Sequence, residues 1–64
     1  MQLKRTDNWR GREDRFDLQS IEDAGLGKYS ITAEIDGETV ELLGIPAPGK
    51  GRLSGRMFDY ELID

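Results

Sequence analysis

The sequence predicts a mainly β protein: a small antiparallel sheet of four or five strands, curled or barrel-like. If one short helix forms beside the sheet, the class becomes α+β. Apolar and polar residues alternate in two neighbouring runs, which is the pattern of half-buried strands. The pair Asp36-Gly37 separates the runs and is favoured in two-residue type I′ turns. A chain of 64 residues is expected to form one domain, residues 1–64, with a small core.

The clearest element is a hairpin over Tyr29–Leu42. With the Asp-Gly pair as its loop, Ala33 lies opposite Val40 and Ile31 lies opposite Leu42, all on one face. Polar residues face one another on the other side. Since a shift of one residue would move every side chain to the wrong face, this register is strongly specified.

A third strand is predicted near the end of the sequence, where Phe58, Tyr60 and Leu62 alternate with acidic residues. An isolated hairpin is barely stable in water, so at least three strands must share the core. Residues 44–55 between these elements are rich in glycine and proline, and we interpret them as a loop.

Residues 16–24 admit two interpretations. A strand over residues 16–21, followed by a tight turn, fits the alternation of Phe16 and Leu18 with polar neighbours. A short helix is the alternative, because the segment Ser20–Asp23 resembles a capping box and Gly25 would end the helix. The strand is favoured.

Residues 1–15 show weak periodicity and are either a first strand with a turn at Asp7-Asn8 or a partly ordered arm. They contain five basic and three acidic residues, whereas the whole chain has a net charge of −4. This N-terminal segment is therefore basic and the rest of the chain acidic. Such an asymmetry indicates something about partners rather than about the fold.

The sequence contains neither cysteine nor histidine. Ser-His-Asp and Cys-His nucleophile systems are therefore excluded, and only oxygen atoms remain as metal ligands. We expect no enzyme activity, no cofactor and no metal site. A secreted chain of this size normally needs disulfides, and no apolar run is long enough for a membrane span. We therefore expect a cytoplasmic protein, in a cell or an infected host, that does not contact membranes.

Two patterns resemble known functional motifs but do not fit them. Residues Gly44–Lys50 read G-x-x-x-x-G-K, but Gly51 stands where a P-loop needs Ser or Thr. Two prolines in the same stretch lack the N–H groups that bind phosphate. Glu34 and Glu41 share an exposed hairpin face rather than a cleft, so catalysis by paired carboxylates is not indicated.

Candidate binding residues form three groups. Acidic residues near the turn form either an ordinary solvated surface or one that is complementary to a basic groove. Trp9 with its arginines either contacts a protein or stacks on bases; alternatively, Trp9 closes one end of the core. Leu43 and Ile63 fall on the polar faces of their strands, as expected for an interface or dimer contact; alternatively, the N-terminal segment buries them. The predicted partner-binding residues are Glu34, Asp36, Glu38, Glu41, Trp9, Arg10, Arg12 and Leu43.

Three functions follow as hypotheses. The favoured one is a non-enzymatic, protein-binding inhibitor or regulator whose acidic surface binds another protein. Compact acidic proteins of this kind include phage anti-CRISPR and anti-restriction proteins, so the target would be a nucleic-acid enzyme. The alternative is a structural or assembly subunit, including a homodimer. The second alternative is a small-barrel nucleic-acid binder using Lys50, Arg52 and Arg56, which the negative net charge disfavours.

Overall fold

A computed structural model describes all 64 residues, and six antiparallel strands form one curled sheet without a helix. The strands are β1 (Gln2–Asp7), β2 (Arg12–Gly25), β3 (Lys28–Ile35), β4 (Glu38–Pro46), β5 (Leu53–Ser54) and β6 (Phe58–Ile63). Their order across the sheet is β4-β3-β2-β1-β6-β5. Because β4 approaches β5 and β6 across the opening of the curl, the sheet is a half-barrel. No helix with the length and apolarity of a membrane span is present.

Strand β2 belongs to both halves of the sheet. Its first part pairs with β1 up to Asp17, and its second part pairs with β3 from Leu18 onward. The register shifts between Leu18 and Ser20, which leaves Gln19 as the extra residue of a β-bulge. Bulges bend a strand and increase its twist. The bulge therefore lets one strand of 14 residues serve both halves.

The core lies inside the curl and is aliphatic. Strands β1, β3, β4 and β6 all contribute to it, so it joins segments from both halves of the chain. Aromatic and aliphatic side chains of neighbouring positions, including Tyr29 and Tyr60, pack against it while half-buried. The six fully buried residues are Leu3, Ile31, Ala33, Ile35, Ile45 and Leu62.

The predicted hairpin and the third strand are confirmed. Ala33 pairs with Val40 and Ile31 pairs with Leu42, in the predicted register. The two central residues of the turn have φ values of 53° and 83°, as a type I′ turn requires. The mainly β class therefore holds.

Some details of the predicted fold are wrong, and two open alternatives are decided. The sheet has six strands rather than four or five, and no short helix accompanies it, so the class is mainly β and not α+β. For residues 1–15 the first strand is confirmed as β1, and the partly ordered arm is wrong. For residues 16–24 the favoured strand is confirmed over the helix, but it does not end at residue 21, because pairing with β3 continues to Gly25. Residues 44–55 are only partly a loop, since they include the end of β4 and all of β5.

The regular register of the hairpin ends at Leu42. Ile31 pairs with Leu42 and Tyr29 pairs with Ile45, so Leu43 and Gly44 together lie opposite one residue of β3. Gly44 has a φ of 71°, the left-handed conformation that glycine adopts in many bulges. This bulge turns Ile45 into the core and leaves Leu43 65% exposed.

Candidate functional site

The inner face of the sheet changes from apolar to charged along β1. Residues paired across antiparallel strands point to the same side, so β2, β1 and β6 form cross-strand rows on this face. The first row is apolar, the second contains a central arginine, and the third ends near the β1–β2 turn. From the first to the third, the rows are Phe16, Leu3 and Leu62; Asp14, Arg5 and Tyr60; Arg12, Asp7 and Phe58.

The Arg5 side chain lies between two aromatic rings and is only 13% exposed. Its guanidinium carbon is 4.5 Å from the ring centre of Phe58 and 5.2 Å from that of Phe16, within the range of cation–π attraction. Its Nη atoms lie 3.5 Å from Asp14 and 3.3 Å from Asp36. The Nε atom is buried without a hydrogen-bond partner.

A cleft of about 340 Å³ opens around Arg5. Its charged side chains are balanced, three arginines against three aspartates, and two aromatic rings complete it. No three acidic side chains come together as metal ligands anywhere in the structure. The lining residues are Arg5, Asp7, Arg10, Arg12, Asp14, Phe16, Asp36 and Phe58.

Asp7 organises the β1–β2 turn next to this cleft. Its Oδ1 accepts hydrogen bonds from the backbone N–H groups of Trp9, at 2.9 Å, and Arg10, at 3.1 Å. Its Oδ2 lies 3.2 Å from the Arg10 guanidinium. The backbone N–H groups of Arg10 and Trp9, followed by the Arg10 side chain, hold the pKa of Asp7 below its usual value of 3.8.

A second anchor joins the same turn to the segment before β6. The Asn8 backbone N–H donates to the Met57 carbonyl oxygen at 2.9 Å, and the Asn8 side-chain amide donates to Asp59 at 3.0 Å. The turn is therefore fixed at both sides, although its side chains lie in solvent.

Trp9 is 78% exposed at this turn, and Met57 beside it is 53% exposed. The interpretation in which Trp9 closes the core is therefore wrong. Trp9, Met57, Asp7 and Arg10 line a shallow, largely apolar depression of about 270 Å³, which we call the Trp9 surface. It shares Asp7 and Arg10 with the Arg5 cleft, so the two are continuous.

The acidic residues predicted as one patch lie in two places. Glu34 and Glu41 lie on the outer face of β3 and β4, where they pair with threonines. Asp36 instead binds Arg5 at the cleft, while Glu38 is exposed beside it after the turn. Glu22 pairs with Ser30 on the same outer face and lines a hollow there with Glu41 and Leu43. Sequence reasoning missed Glu22, because the predicted strand ended at residue 21.

The three basic residues of the nucleic-acid hypothesis are also separated. Arg52 lies 3.8 Å from Asp59, which also binds Asn8 of the β1–β2 turn, and Arg56 is exposed next to Met57. Lys50 instead lines a groove with the β2–β3 turn. The structure therefore does not bring them together as one basic patch.

Comparisons with protein-family models, with curated proteins and with solved structures found no match to this chain. Function has to be inferred from the side chains that the fold exposes.

Proposed function

We propose that this protein is a non-enzymatic inhibitor or regulator that acts by binding another protein, and that the Trp9 surface is its main contact. One observation carries the proposal: Trp9 is 78% exposed on a turn that hydrogen bonds hold in place. Tryptophan, methionine and arginine are enriched at protein interfaces, and tryptophan and arginine dominate their hot spots. All three residue types meet at this depression.

The order of the turn supports this role. A side chain held on a fixed backbone loses less conformational freedom on binding than one on a mobile loop. The Asp7 carboxylate holds Trp9 and Arg10, and Asn8 ties the turn to Met57. The Trp9 surface is therefore organised before a partner arrives.

Local charge supports a protein partner over nucleic acid. Binding to phosphates depends on cations that displace counterions, and most arginines around the Trp9 surface are already paired with carboxylates. Arg12 and Arg56 form no ion pair, and the net charge of the chain is −4. The paired groups are Arg5 with Asp14 and Asp36, Arg10 with Asp7, and Arg52 with Asp59.

The acidic outer face is the second candidate contact. Glu22, Glu34 and Glu41 project from one side of the sheet, and none of them appears in an ion pair. Such a surface favours a basic partner groove, including that of a nucleic-acid enzyme, and would speed association through charge complementarity. The acidic outer face therefore supports inhibition by occupation of a basic groove. The class of target is a prediction.

Trp9→Ala separates the two contacts once a partner has been captured. A tagged pull-down, with and without nuclease, identifies the partner, and calorimetry then measures its affinity for each variant. We expect Trp9→Ala to weaken binding by about thirtyfold, the loss of a hot-spot residue. Its melting temperature should match that of the wild type because the side chain is exposed.

The matched control is a triple variant, Glu22→Gln, Glu34→Gln and Glu41→Gln. We expect it to change affinity less than threefold, with a modest change in salt dependence. If the triple variant loses binding while Trp9→Ala retains it, the outer face is the contact. If nuclease treatment abolishes capture, nucleic acid mediates the interaction, and the proposal of direct protein binding is wrong.

A further inference from the structure

The β2–β3 turn departs from a rule that the β3–β4 turn obeys. Leu26 and Gly27 have φ values of 58° and 74°, so both central residues are left-handed, as in a type I′ turn. The first position of such turns favours Asn, Asp or Gly, and Asp36 occupies it in the other hairpin. A left-handed leucine is strained. Leu26 is also fully exposed, so no packing within the chain compensates for the strain.

The groove beside Leu26 is preformed. The Ala47 backbone N–H donates to the Gly27 carbonyl oxygen at 3.0 Å, and the Lys50 N–H donates to the Ala47 carbonyl oxygen at 2.9 Å. The first hydrogen bond joins the β2–β3 turn to the β4–β5 loop, and the second closes a turn within that loop. The groove between them has a volume of about 390 Å³ and is called the Leu26 groove below. Its lining residues are Leu26, Gly27, Lys28, Pro46, Ala47 and Lys50.

The charge of the Leu26 groove is one-sided. Lys28 and Lys50 line it, no acidic residue does, and neither lysine forms an ion pair. Pro46 and Ala47 add apolar surface between the lysines. In a chain with a net charge of −4, this local positive charge is complementary to an acidic ligand that also offers apolar atoms.

We propose that the Leu26 groove binds a segment of a partner protein in which an apolar residue stands next to an aspartate or glutamate. Leu26 contacts the apolar side chain, and Lys28 and Lys50 pair with the carboxylate. Residues with a strained backbone conformation cluster at binding sites and other functional sites. This site is independent of the Trp9 surface, because the two turns lie at opposite ends of β2.

The probe for this proposal is a displayed library of random peptides, selected on the full-length protein. We expect enrichment of peptides that combine an apolar residue with an adjacent carboxylate. The best such peptide is then synthesised, and fluorescence anisotropy measures its affinity. Leu26→Asn should weaken binding about tenfold, as expected from removing an apolar side chain that becomes buried when the peptide binds. Thr39→Ala, at an exposed position outside the groove, is the matched control.

The same Leu26→Asn variant should melt about 2–4 °C higher than the wild type, because asparagine adopts the left-handed conformation more readily. A structural role for Leu26 predicts a lower melting temperature instead. Reversing the groove charge, with Lys28→Glu and Lys50→Glu, should redirect the selection to peptides with basic residues.

Three results would overturn the proposal. In the first, the selection does not enrich peptides that combine an apolar residue with an adjacent carboxylate. Another is equal affinity of the chosen peptide for the wild type and Leu26→Asn. The third is a peptide that no longer binds Trp9→Ala but still binds Leu26→Asn. That result would place the peptide on the Trp9 surface, and the proposed function would still hold.

Discussion

The two halves of the inner face are built from different interactions. Around β3 the inner face is aliphatic, with Ile31, Ala33 and Ile35 all buried. At the far end of β1 it contains Arg5, held by two rings and two carboxylates. Aliphatic packing depends mainly on volume and buried area, whereas a part-buried cation depends on particular partners. We therefore expect the first half to supply most of the stability, and the second to specify how the strands that support the Trp9 surface are arranged.

The largest expected effect is in the aliphatic half. Ile31 is 1% exposed, and Ile31→Ala should lower the free energy of unfolding by about 3 kcal/mol through lost burial and a cavity. The control Ile31→Val should cost about 1 kcal/mol. Urea denaturation followed by circular dichroism measures both. Equal losses for the two variants would show that volume does not govern this half.

A smaller effect is expected at Arg5. Arg5→Ala should lower the free energy of unfolding by about 2 kcal/mol, because both ring contacts and the packed stem are lost. Arg5→Lys keeps the charge but not the planar group, and should cost about 1 kcal/mol. Urea denaturation at low and high salt is the measurement. If Arg5→Lys is as stable as the wild type, only the charge of Arg5 matters and its planar guanidinium does not.

The third effect is confined to the turn and depends on pH. The pKa of Asp7 is lowered in the folded protein, so its stabilising contribution is present above the unfolded pKa and disappears as pH falls through the folded value. The Trp9 turn should therefore lose order below about pH 4. Amide exchange of Trp9 and Arg10, followed by NMR from pH 7 to strongly acidic conditions, measures this loss.

Asp7→Asn is the control for that titration. It keeps a side-chain oxygen for the backbone N–H groups but removes the charge that faces the Arg10 guanidinium. We expect faster exchange at neutral pH and a flatter response to acid at these two amides. Parallel pH curves for the variant and the wild type would assign the acid sensitivity to another group.

The same contrast explains what the sequence could predict. The Tyr29–Leu42 hairpin has an apolar inner face, so its alternation, turn and register follow from period and turn chemistry. In β1 the inner positions are Leu3, Arg5 and Asp7, and apolar alternation stops after one residue. The partly ordered arm was therefore an open alternative.

The sequence did contain one signal for the β1–β2 hairpin, the complementary charges of its two strands. Pairing residues 2–7 with 12–17 around the turn puts Arg5 opposite Asp14 and Asp7 opposite Arg12, two opposite-charge pairs on one face. The exposure of Trp9 had no such signal, since a lone tryptophan is as often buried. Leu26 escaped notice because leucine is not a turn residue, and its position only became unusual once φ was known.

The position of β1 between β2 and β6 also predicts an order of folding. The β2–β3 and β3–β4 hairpins need only neighbouring segments, and can form early. Leu3 meets Leu62 only after a loop spanning nearly the whole chain has closed, which costs entropy and slows folding. Loss of a few residues from either segment would therefore not fray an edge but would prevent the last folding step, the one that completes the core.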